Sequence, residues 1–206
     1  SAVTDFRYTR SQAYFTYVNS EGQKFYNRIT YNGLNGWRLQ TNAKSYNHFQ
    51  DIGAGQSLAL YMDEGFHDVE VPLQIAYTDD LPTSAIRILV QGEESSVHLS
   101  CNTFNLDFCN HEEGSLYNVN GMSLTREGDI TLTGRMNETE AVYGGGERFD
   151  DANKRGKKMS LYISDSYDAK GYNGSYVAIP LFSTSRGGGM YINRYETMTV
   201  SFPEQN

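Results

Sequence analysis

The chain has 206 residues, with 17 Lys plus Arg against 25 Asp plus Glu, a formal net charge of −8, four His, two Cys, 16 Tyr, 20 Gly and four Pro. That length suits one sandwich-sized domain, and 38% hydrophobic with 13% aromatic residues excludes a disordered chain and gives much of the burial to Tyr and Phe. The acidic balance argues against nucleic acid and anionic membrane as partners, no apolar run reaches the roughly 20 residues of a membrane span, and the start Ser1 to Phe6 lacks the form of a signal peptide, so a soluble chain, cytoplasmic or secreted, is expected.

In chain order, strand-like runs are expected at 13–18, 24–31, 57–62, 68–77, 86–90, 97–101, 122–126, 130–133, 159–163, 176–182, 189–193 and 197–202. The clearest is 68–77, where Val69, Val71, Leu73, Ile75 and Tyr77 alternate with Glu70, Pro72, Gln74 and Ala76, the period of a pleated strand with one apolar face. Turn chemistry separates the runs, as at Asn32-Gly33, Gln91-Gly92, Glu113-Gly114 and Glu127-Gly128. The polar stretch Gly36 to Gln56 reads as irregular. No amphipathic helix of ten residues is found. The spacing predicts an all-β fold, a sandwich of two large antiparallel sheets in a single domain over 1–206.

Standard catalytic patterns are missing. There is no G-x-S-x-G elbow, and Gly144-Gly145-Gly146 and Gly187-Gly188-Gly189 fit neither nucleotide-binding glycine pattern. The four His (48, 67, 98 and 111) show no metal spacing, so no metal and no cofactor are expected; His98 reads as a structural mid-strand residue. Cys101 and Cys109 suit a disulfide across a turn or two separate thiols equally. The basic cluster Arg148, Lys154, Arg155, Lys157, Lys158 contains Asp150 and Asp151 and reads as a solvated loop. Asn137-Glu138-Thr139 and Asn173-Gly174-Ser175 match the glycosylation sequon. Carboxylates near loops in the last third (Glu140, Glu147, Asp150, Asp151, Asp165, Asp168) make sugar chemistry conceivable, since paired carboxyls cleave glycosides. From the residues alone the reading stops at a β-sandwich with a polar, aromatic face suited to carbohydrate.

The segment Ala141-Val142-Tyr143-Gly144-Gly145-Gly146-Glu147-Arg148-Phe149 resembles the Y-G-x-G-E-R-F signature of the N-terminal domain of glycoside hydrolase family 31, the α-glucosidase and α-xylosidase family. Lys154-Arg155-Gly156-Lys157, Leu161 to Ser166, Asn173 to Ser183 and Arg186 to Asn193 follow in the family's order at similar spacing. The resemblance is specific over Glu140 to Phe202 and weaker over Val69 to Val90. Two departures remove side-chain volume: Gly145 stands where a bulky apolar residue is usual, and Gly188 replaces an aromatic.

The resemblance implies a galactose-mutarotase-like β-supersandwich, placed before a catalytic (β/α)₈ barrel of about 250 residues, with 1–206 as the N-terminal domain of a longer protein. The barrel carries the family's catalytic carboxylates, so no catalytic residue is expected here and the chain alone should be inactive. Partners implied are the barrel and an α-linked sugar. Asp165 matches a loop aspartate that touches the sugar at the non-reducing end, and Tyr167 matches a pocket-lining position. Gly144, Gly146, Glu147 and Arg148 match a structural loop, with Glu147 and Arg148 expected to form a buried or interfacial ion pair. Two other functions stay open: a free-standing carbohydrate-binding module using the Tyr-rich face, and an aldose mutarotase, placed last because no His lies near the carboxylate-rich last third.

Overall fold

A computed structural model of the chain describes residues 2–33, 36–47, 71–78, 85–110, 114–148, 150–162, 175, 177–194 and 196–204. Every regular element among the described residues is a strand, and no helix among them is long and apolar enough to cross a membrane. The chain divides into two compact units, Ser1–Arg135 and Met136–Asn206. The expected strands at 57–62 and over 68–70 lie outside the described residues.

The first unit holds a four-stranded antiparallel sheet in the order β1 (Ala2–Tyr8), β2 (Gln12–Val18), β3 (Lys24–Asn32), β4 (Gly36–Asn42). A five-stranded sheet follows, made of β5 (Leu73–Thr78), β6 (Ala85–Val90), β7 (Ser96–Ser100), β8 (Asn105–Asn110) and β9 (Gly114–Val119) in sequence order. A two-stranded ribbon, β10 (Gly121–Leu124) with β11 (Ile130–Thr133), completes it. Within each of these sheets the strands consecutive in sequence are neighbours, as short antiparallel turns require. The turn between β2 and β3 shows the local chemistry. Asn19 Oδ1 accepts from Glu21 N at 3.0 Å and Gln23 N at 2.9 Å, and Gly22 takes the positive φ of 78° that closes the turn.

Alternation along the strands makes the core. Ala13, Phe15 and Tyr17 of β2 and Phe25 and Ile29 of β3 meet Ile86, Ile88, Val97, Leu99 and Leu106 from the five-stranded sheet, with Phe104 and Met122 filling in. Tyr17 stacks on Phe104 at 4.2 Å. One amide lies among these side chains: Asn27 is fully buried, and its Nδ2 donates to Phe25 O at 3.1 Å and Phe15 O at 3.4 Å, so its polarity is matched inside the core. Of the tyrosines, Tyr17 and Tyr31 are buried, whereas Tyr14, Tyr26 and Tyr46 cluster on the opposite face of the four-stranded sheet, edge to face at 5.7 and 5.1 Å. The Arg7 guanidinium covers Tyr46 at 4.3 Å.

The second unit is a smaller sandwich. One face is the sheet β12 (Val142–Glu147), β14 (Val177–Thr184), β15 (Gly189–Tyr191); the other is the pair β13 (Lys157–Leu161) with β16 (Met198–Phe202). Val142, Met159, Leu161 and Phe182 are buried between them, flanked by Met136, Met190, Met198, Val200 and Phe202.

Three expectations need correcting. The stretch after Gly36 opens with a strand, β4, whose Trp37 and Leu39 pack against the core. Within the described part of the run placed at 68–77, the strand begins at Leu73, and Val71 and Pro72 lie outside any regular element. The strands β1, β8, β9 and β12 stand where no run was expected. Of the two readings left open for Cys101 and Cys109, the structure has separate free thiols, both raised above their ordinary pKa by burial, with Asp107 adding to the rise at Cys109. His98 does lie in mid-strand, on β7.

Phe15 is fully buried at the centre of the first unit and packs 5.9 Å from Phe104. Phe15→Ala is expected to cost about 3–5 kcal/mol, the range for emptying a large aromatic site. Urea unfolding of the two proteins measures it, and a cost under about 1 kcal/mol would place Phe15 outside the core.

Candidate functional site

The motif Tyr143 to Arg148 forms strand β12 and the residue that follows it, so Gly144, Gly146 and Glu147 belong to a sheet rather than to a loop. The strand is irregular. Its register against β14 shifts between Gly144, opposite Phe182, and Gly145, opposite Ile179, which leaves Pro180 and Leu181 unmatched in the bulge. Proline suits that place, because it has no N–H to offer the ladder. Gly144 and Gly146 have φ of 125° and 89°, and a Cβ on either would stand 2.1 Å from Leu181 O or 1.9 Å from Val177 O. Only glycine lets β14 approach this closely. Gly145, the departure from the family pattern, sits buried against the Phe182 ring.

Past the glycines the chain delivers Arg148, whose side chain is 3% exposed. Its Nε donates to Asp150 Oδ2 at 3.2 Å, and one terminal nitrogen donates to Ser175 Oγ at 2.8 Å and to Ser160 O at 3.4 Å. Lys154 is also buried, its ammonium on Asp150 Oδ1 and on Asp151 O at 2.6 Å. The basic cluster is therefore partly interior, and the solvated-loop expectation fails for Arg148 and Lys154: Asp150 pairs both cations at once, which is the condition for burying them. The expected pair of Glu147 with Arg148 is likewise replaced. Glu147 is exposed at the strand end, and Arg148 turns to Asp150.

Burial by itself would raise the Asp150 pKa, but the hydrogen bonds and charges of Lys154 and Arg148 outweigh it and hold the carboxyl below its ordinary value of 3.8. A carboxylate held this way is a poor proton donor near neutral pH. Among the other carboxylates, Glu140 is buried, with Oε2 accepting from Asn137 N at 3.3 Å and Oε1 lacking a hydrogen-bond partner among the described residues. Asp165, Tyr167 and Asp168 lie outside the described residues.

What Arg148 does is hold two segments together. Ser160 is near the end of β13, Ser175 precedes β14, and Ser175 N donates to Tyr162 O at 3.1 Å. Residues 163–174 run between them, and the two ends from which that segment leaves are bound to one guanidinium. Ser160 did not stand out in the sequence, and Ser175 appeared there only in a glycosylation sequon and in the run that resembles the family; a buried Ser beside an Arg leaves no periodic signal.

The exposed face of the β12–β14–β15 sheet is apolar. Val177, Ile179 and Leu181 alternate outward along β14, Tyr191 pairs across from Leu181, and Tyr143 lies across from Ser183. Leu181 is 50% exposed and Tyr191 59%.

Residues 67–200 match the family described as the glycosyl hydrolase 31 N-terminal galactose mutarotase-like domain. The chain belongs to that family. No curated protein matches its sequence. Among solved structures it is similar to the cycloalternan-forming enzyme from Listeria monocytogenes in complex with a pentasaccharide substrate, at 17% identity over 93% of this chain, with a TM-score of 0.64. It is similar also to a Flavobacterium johnsoniae GH31 dextranase, at 13% identity over 98% of this chain and a TM-score of 0.68 for a mutant complexed with isomaltotriose, and 14% over 99% and 0.67 for the complex with glucose. At such identities the likeness is one of fold. The chain spans 17% of the length of the first and 23% to 24% of the second. For the glycosyl hydrolase 31 domain, an all-β chain of antiparallel sheets is the expected architecture, and it is the one found.

Because folding lowers the Asp150 pKa, the stabilisation it contributes is complete above the unfolded value and is lost as pH falls through the lower folded value. Asp150→Asn should therefore lower the melting temperature at neutral pH and flatten its decline in acid. Melting curves of both proteins from pH 7 downward check this, and two parallel curves would contradict it.

Proposed function

We propose that the chain serves as the N-terminal, non-catalytic domain of a retaining α-glycosidase acting on α-linked glucose oligosaccharides from the non-reducing end. The observation that carries this reading is the Arg148 contact that joins Ser160 to Ser175, since it fixes the two ends of the segment holding Asp165 and Tyr167. In this reading Asp165 accepts two sugar hydroxyls, a task suited to a carboxylate because charged acceptors make the stronger hydrogen bonds, and Tyr167 lines the same pocket. The two reacting carboxylates, about 5 Å apart in a retaining enzyme, belong to a (β/α)₈ catalytic domain.

The apolar face of Tyr143, Val177, Ile179, Leu181 and Tyr191 supports an accessory role, because so contiguous a patch on an exposed sheet is unfavourable unless another surface covers it. We assign that cover to the catalytic domain. Neighbours with sugars bound, a pentasaccharide in one and isomaltotriose or glucose in the other, support an oligosaccharide as the ligand. A free-standing module reading through the Tyr-rich face has less support, since the Tyr14 and Tyr26 rings each meet Tyr46 edge-on and Arg7 lies over Tyr14 and Tyr46.

The test compares the 206-residue chain with the longer polypeptide of its gene on an aryl α-glucoside. The chain alone should show no turnover. In the longer protein Asp165→Asn should lower kcat/KM by about 10- to 100-fold, the worth of one or two charge-assisted hydrogen bonds. Turnover by the chain alone, or an unchanged kcat/KM in the variant, would sink the proposal.

A further inference from the structure

The outer face of the five-stranded sheet carries a second group of reactive side chains. The ladder registers place Ala76, Arg87, His98, Asp107 and Asn118 side by side across all five strands. All lie on the side opposite the core residues Ile86, Ile88, Val97, Leu99 and Leu106. Adjacent strands stand about 4.8 Å apart, so three chemically distinct groups, a guanidinium, an imidazole and a carboxylate, occupy one short line. Ala76 and Ala85 leave the ground beside Arg87 low.

The row is half satisfied and half open. Asp107 is fixed by Ser115 Oγ at 2.8 Å, by Asn118 Nδ2 at 2.7 Å and by Asn105, and Arg135 donates to Asn105 Oδ1 at 2.8 Å. At the other end the partners are fewer. Arg87 is exposed, and no hydrogen bond or ion pair satisfies its guanidinium among the described residues. His98 is bonded through Nε2 to Ser96 Oγ at 3.0 Å, leaving Nδ1 open among the described residues. Burial, followed by the nearby Arg87 charge, lowers the His98 pKa, with Asp107 opposing, so the ring is neutral at pH 7 and can donate or accept.

This mixture selects a ligand class. A simple anion would gain from Arg87 but meet the fixed charge of Asp107, and a cation would meet Arg87. A polyhydroxylated ring offers groups that each donate and accept, matching a donor, an ambivalent imidazole and an acceptor in line. Asp107 and His98 are also pre-oriented by neighbours rather than by the ligand, which lowers the entropic cost of binding. We propose that this face is a sugar-binding site for a pyranose ring, formed by Arg87, His98 and Asp107. The site lies wholly within the first unit and needs neither Asp165 nor a catalytic domain, so it stands or falls separately from the function proposed above.

The test titrates D-glucose and isomaltotriose into the 206-residue chain while the His98 ring protons are followed by NMR. A saturable shift is expected with at least one of them. Arg87→Ala, on an exposed position that leaves the core intact, should weaken it by about tenfold, the scale of one lost charge-assisted hydrogen bond, and Asp107→Asn should weaken it as well. Tyr14→Phe on the other sheet should not. No saturable shift with either sugar, an equal affinity in R87A, or saturation by sodium sulfate in place of the sugars would overturn the proposal.

Discussion

Two cations and one carboxylate hold the second unit in its working form. Arg148 and Lys154 are both buried, and neither would tolerate that without Asp150 between them, because an uncompensated charge in the interior costs several kcal/mol. Once that triad is in place, one terminal nitrogen of Arg148 reaches both Ser160 and Ser175. The glycines upstream follow from the same demand. Arg148 enters the interior at the end of a strand that lies against β14 too closely for any Cβ at Gly144 or Gly146, so the triplet sets the path that the cation follows.

Seen this way, the family signature is a structural device rather than a reactive one. Its glycines allow close approach, and its arginine gathers two chain segments and spends its charge on Asp150. The chemistry proposed for the segment 163–174 then depends on how firmly its ends are held, and the exposed apolar face on the second unit's three-stranded sheet is the surface proposed to meet the catalytic domain. The first unit has a different logic. Its two sheets meet through an aromatic and aliphatic core, and their outer faces are free to carry Arg7 with its tyrosines on one side and the Arg87–His98–Asp107 row on the other.

The fold class was legible because alternation is a local signal. Val97 to Ser100 and Gln12 to Val18 show it plainly, and both are strands. In β4, Trp37, Leu39 and Thr41 alternate with Arg38, Gln40 and Asn42 just as regularly, but the surrounding Asn and Gly residues masked the pattern. β12 is hidden for another reason. A strand of Val-Tyr-Gly-Gly-Gly-Glu has almost no side chains to alternate, and its place in a sheet comes from backbone approach alone. The site was less legible still. Reading Glu147 with Arg148 as a pair assumed that neighbours in sequence meet, whereas adjacent residues at the end of a strand point to opposite sides and the cation finds Asp150 two positions on. The His98–Asp107 line was invisible because it depends on register across strands, which single-sequence spacing does not contain.

The central claim is that Arg148 acts by fixing the segment that carries Asp165. A double-mutant cycle in the glycosidase proposed to contain this chain measures that directly, with Arg148→Met and Asp165→Asn made singly and together and kcat/KM determined for each. The account predicts that the double variant falls no further than the worse single variant, within about twofold, because both changes remove the same contact. Losses that multiply would show that the two residues act independently, and would contradict it.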